Sequence, residues 1–67
     1  MSEEKKIRYT VKMLAAYMNQ SVAELARNAG IDVYHLQQVA SGRLKLNADD
    51  LVKLRDYTGI DVSDIQL

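Results

Sequence analysis

The chain has 67 residues, nine Lys and Arg against nine Asp and Glu, and no cysteine. That length allows one small domain near the lower limit for a self-sufficient core, and a hydrophobic content of 48%, spread along the chain, excludes intrinsic disorder. The apolar runs are far too short for a membrane span, no signal-peptide pattern opens the chain, and without cysteine there is neither a disulfide framework nor a thiolate metal site, which fits a cytoplasmic protein.

Taken in chain order, residues 1–9 are charged and read as a loose segment ahead of a single domain over 10–67. The domain is predicted all-α, because no β-branched alternating run is present. Thr10 caps a first helix near 11–18, whose stripe is Val11, Leu14, Ala15 and Met18. Asn19 follows it and suits a left-handed helix end. Ser21 and Glu24 form a capping box that opens a second helix near 22–29. Asp32 caps a third helix near 33–40, with Ile31 and Leu36 as its hydrophobic staple. Asn47 and Asp50 open a fourth helix near 48–58, stapled by Leu46 and Leu51. Asp61 caps a short fifth helix near 62–66, stapled by Ile60 and Ile65. The glycines at 30, 42 and 59 fall between these segments.

The apolar faces predict a core of Leu14, Met18, Leu25, Ala26, Ala29, Ile31, Leu36, Val39, Leu51, Leu54, Tyr57 and Ile60. Met13 is read as packing rather than a binding surface. Val62, Ile65 and Leu67 exceed what that core needs, and are expected to form a self-association or partner surface. Net charge is zero, but its distribution is uneven. Glu3 and Glu4 give −2 over residues 1–4. Lys5, Lys6, Arg8, Lys12, Arg27, Arg43 and Lys45 against Glu24 and Asp32 give +5 over 5–45. Lys53 and Arg55 against Asp49, Asp50, Asp56, Asp61 and Asp64 give −3 over 46–67. A basic body can attract DNA locally despite a neutral total.

The segment Ser21–Val39 carries the most information. Ala26 sits where two helices cross closely, and Gly30 can take the positive φ that ends one helix and turns the chain into the next. Leu25, Ala29, Ile31, Leu36 and Val39 supply the face that locks the pair. This is the helix-turn-helix pattern, whose second helix can enter the DNA major groove. Ser41, Arg43, Lys45 and the amides beside Asn47 suit phosphate, by charge and by helix N-terminus.

The run Leu25-Ala26-x-x-x-Gly30-Ile31-x-x-x-x-Leu36-x-x-Val39-x-x-Gly42, followed by a capped fourth helix, resembles the phage Cro and repressor family of helix-turn-helix proteins over about residues 10–66. The resemblance implies a five-helix lambda-repressor-like domain that binds double-stranded operator DNA and represses transcription, often as a homodimer. It also implies that Val33, Tyr34, Gln37 and Gln38 face base edges. A glutamine amide can pair bidentately with adenine, and Val33 can meet a thymine methyl. Two positions depart from the family pattern. Many members begin the second helix with Gln, where this chain has Val22, and many end the third with Glu, where it has Ala40.

An enzyme is not expected. His35 is the sole histidine, so no metal set or nucleophilic triad can be assembled, no glycine loop cradles phosphate, and no cofactor is implied. The alternative is a protein-binding module of antirepressor type that grips another phage-type repressor, with Val33, Tyr34 and Leu44 as a docking patch.

Overall fold

The structure, a computed structural model, describes residues 8–67. Four α-helices follow in order: α1 (Val11–Tyr17), α2 (Val22–Ala29), α3 (Val33–Ala40) and α4 (Ala48–Thr58). Each start is held by the side chain expected of it. Thr10 accepts the Met13 amide at 3.2 Å. Ser21 accepts the Glu24 amide at 3.1 Å while the Glu24 carboxylate accepts the Ser21 amide at 2.8 Å. Asp32 accepts the His35 amide at 2.9 Å, and Asn47 and Asp50 exchange bonds of 2.8 and 3.1 Å. These side chains satisfy amides that a helix start leaves without a partner.

Three helix ends share one device. Asn19, Gly30 and Gly42 each take positive φ. The residue after each donates to the carbonyl five positions back: Gln20 to Ala15, Ile31 to Ala26, and Arg43 to Gln38, at 2.9, 2.8 and 2.9 Å. The left-handed residue itself donates to the carbonyl three positions back, on Ala16, Arg27 and Val39. This is the Schellman pairing, and it closes the connections on either side of α2 and α3 into tight turns. α4 ends differently, with a single bond from the Gly59 amide to Arg55 at 2.8 Å.

The expected fifth α-helix over 62–66 is not formed. Asp61 caps one 3-10 turn, Val62–Asp64, after which Ile65 is extended. The chain leaves the helix because its polar groups find other partners. The Asp64 carbonyl accepts the Tyr9 amide at 2.7 Å, and the Gln66 amide donates to the Tyr9 carbonyl at 2.8 Å. Tyr9 and Ile65 thereby form an isolated parallel β-bridge. Five residues are also too few to nucleate a helix unaided. Of the loose segment expected over 1–9, residues 1–7 lie outside the described residues, and Tyr9 is tied by these two bonds.

The core cluster comprises Val11, Leu14, Ala15, Leu25, Ala26, Ile31, Leu36, Leu46, Leu54 and Ile65. Met18, Ala29, Val39, Leu51, Tyr57 and Ile60, expected inside, pack against it half-buried. Ile65 corrects the expectation of a C-terminal docking surface. It is 3% exposed and belongs to the core, which leaves Leu67 as the exposed large apolar side chain of that trio. Met13, read as packing, is an exposed large apolar residue. α2 makes its most extensive contact with α3 and also touches α1 and α4. Ala26 on α2 is fully buried in the core. Among the described residues no helix is long and apolar enough to cross a membrane.

Candidate nucleic-acid interface

α3 is fixed from behind. Leu36 is fully buried, and Val33, Val39 and Ala40 pack half-buried against the core. With those positions turned inward, the helical repeat puts Tyr34, Gln37, Gln38 and Ser41 on the opposite face at i, i+3, i+4 and i+7. Tyr34 is 70% exposed. Gln37 and Ser41 are exposed and Gln38 is half-buried. Of the four residues expected at base edges, Tyr34, Gln37 and Gln38 share this outer face. Val33 lies at its inner border, where part of its surface belongs to the core.

A polar clamp sets α3 against α4. The His35 ring nitrogen Nε2 lies 2.7 Å from Asp50 Oδ2. The same oxygen accepts the Asn47 amide of the capping box, and Asp50 is 5% exposed. A carboxylate oxygen only accepts, so Nε2 carries the hydrogen in this pair. One carboxylate therefore both closes the first turn of α4 and holds a side chain from the first turn of α3. Nothing in the local sequence pairs positions fifteen apart. The capping box made Asp50 legible as a cap, but the fold alone shows that His35 shares it.

A second polar contact, Gln20 Nε2 to the Tyr57 hydroxyl at 2.7 Å, ties the turn after α1 to α4.

The loop after α3 carries the residues expected at phosphate. Arg43 and Lys45 are exposed. Among the described residues neither enters an ion pair, whereas the cations of α4 do. Lys53 meets Asp49 at 3.0 Å, and Arg55 meets Asp56 at 3.1 Å. Ser41 is engaged locally, its hydroxyl donating to the Gln38 carbonyl at 3.0 Å and its amide to Gln37. Asn47 has its amide and side-chain oxygen committed to Asp50. Asp49 and Asp50 occupy the first turn of α4, which weakens that helix start as an anion site. Arg43 and Lys45 thus stand exposed on one loop without an ion pair among the described residues, and Ser41 and Asn47 have partners of their own.

No group of His, Asp and Glu among the described residues could hold a metal ion. No family model, curated protein or solved structure matches the chain.

Proposed function

We propose that α2 and α3 act as a helix-turn-helix and that the outer face of α3 reads double-stranded operator DNA, the chain serving as a cytoplasmic transcriptional regulator of the phage Cro and repressor type. One observation carries this reading. The exposed face of α3 ends in a loop whose cations, Arg43 and Lys45, have no carboxylate partner among the described residues, while those on α4 are paired. Positive charge without an internal partner beside an amide-bearing helix face suits a phosphate backbone flanking base edges. Gln37 and Gln38 are the side chains suited to adenine. Tyr34 can meet a methyl group or reach phosphate through its hydroxyl. Arg43 and Lys45 take the phosphate contacts.

A mobility-shift titration on the DNA flanking the protein's own gene tests this reading. Gln37→Ala or Gln38→Ala should lose roughly 1–3 kcal/mol of discrimination at one base pair. The same substitutions should leave nonspecific binding nearly unchanged. A protein that retards no DNA at low salt would remove the proposal.

Tyr34 at 70% exposure and Leu44 at 45% support a second reading. Exposed aromatic side chains such as Tyr34 are frequent anchors of protein docking. In that reading the partner is another repressor, and the order of the scan reverses. Tyr34→Ala then abolishes the complex while both glutamines are silent. The complex would also persist at salt concentrations that release DNA.

A further inference from the structure

A groove of about 350 Å³ lies between the end of α3, the start of α1 and the C-terminal residues 66–67. That volume is at the lower end of small-molecule sites. Val11, Val39, Ala40, Leu44 and Leu67 give it an apolar lining. Val11 belongs to the core, while Leu44 and Leu67 stand exposed, so the groove has a packed floor and open lips. Two lysines, Lys12 and Lys45, also line it. Both are exposed, and neither has an ion-pair partner among the described residues. Among the described residues no Asp or Glu side chain lines the groove.

An apolar trough with two ammonium groups that enter no ion pair among the described residues selects a particular chemistry. A bare phosphate satisfies the lysines but leaves the trough wet. An uncharged hydrocarbon fills the trough but leaves the lysines unmatched. A second copy seated face to face would bring its own Lys12 and Lys45 against these two, and like charges oppose such a contact. We propose that this groove binds a small amphipathic carboxylate, whose acyl or aryl body lies on Val39, Ala40 and Leu44 and whose carboxylate is taken by Lys12 and Lys45. The proposal goes beyond the DNA reading and does not depend on it, since binding is measured on the free protein.

The test is a two-dimensional amide NMR titration of the full chain with octanoate, with octanol and inorganic phosphate as separate probes. Octanoate up to about 10 mM should give saturable shifts confined to residues 10–12, 39–45 and 66–67, with octanol and phosphate each at least about tenfold weaker. Lys12→Gln and Lys45→Gln should each weaken octanoate several-fold without changing the response to octanol. Both lysines are exposed, so the variants should keep the parent spectrum elsewhere. Three results would overturn the proposal: octanol binding as well as octanoate, shifts that scatter over the surface without saturating, or shifts of the groove residues with protein concentration alone, which would assign the groove to a second copy.

Discussion

Asp50 joins two helices through a single carboxylate. Its Oδ2 accepts from the Asn47 amide and from His35 Nε2 within a site that is 5% exposed. Removing a buried acceptor leaves its donors without partners, and such losses cost about 1–3 kcal/mol each. Asp50→Ala should therefore lower the unfolding midpoint well beyond the effect of losing a surface cap, and Asp50→Asn, which keeps one acceptor oxygen, should fall between it and the parent. A urea titration checks the order, and an Asp50→Ala midpoint equal to the parent's would show that the clamp contributes nothing. Ala26 offers a second measurement at this scale. It is fully buried on α2, the helix that contacts α3 most extensively, so Ala26→Leu should overpack the core there and cost roughly 1–3 kcal/mol. A mutant that melts with the parent would mean that position 26 has room for a larger side chain.

Among the elements, the helix ends explain why so much was legible in the sequence. Caps and left-handed turns are local devices, formed between residues two to five positions apart, so Thr10, Ser21, Asp32 and Asn47 announce their helices without reference to the rest of the chain. Gly30 shows what the turn requires. A Cβ there would meet no atom within 4 Å, and yet φ is +81°. Space is therefore not the obstacle, and Gly30→Ala should cost about 1–2 kcal/mol from backbone strain alone, readable as a shift in thermal midpoint. If the substitution were neutral, the left-handed turn would not be what joins α2 to α3. The same local logic misled at the C-terminus. Asp61, Ile60 and Ile65 carry the marks of a capped and stapled helix, but Tyr9 claims the Asp64 carbonyl and the Gln66 amide. Such competition is invisible to any short window of sequence. So is the meeting of His35 with Asp50, and for the same reason: both depend on segments far apart in the chain. On α3 the helical period puts Tyr34, Gln37 and Gln38 on one face, where Tyr34 and Gln37 are exposed and Gln38 is half-buried. It could not tell how much of Val33 the core would take.

Across the whole molecule the charge blocks of the sequence become a division of labour between surfaces. α4 pairs its own cations with Asp49 and Asp56, while Arg43 and Lys45 enter no ion pair among the described residues. If DNA is the partner, Arg43→Ala and Lys45→Ala should each weaken binding on all sequences alike and reduce the salt slope by about one unit. Unchanged slopes in both variants would make these residues ordinary loop charges. The Tyr9–Ile65 bridge has a consequence of another kind, in the order of events during folding. It joins the two ends of the described chain, so forming it closes the longest loop the fold contains, and that closure gains little until the four helices have assembled. We expect the seam to be made after the rate-limiting barrier and to be the first part of the fold to open. Ile65→Ala should then destabilise by about 2–4 kcal/mol almost wholly through faster unfolding, with the refolding rate nearly that of the parent, a partition that stopped-flow kinetics would read directly. The amides of Tyr9 and Gln66 should exchange with solvent sooner than those of Leu25 and Leu36, opening as a local unit while the helices remain closed.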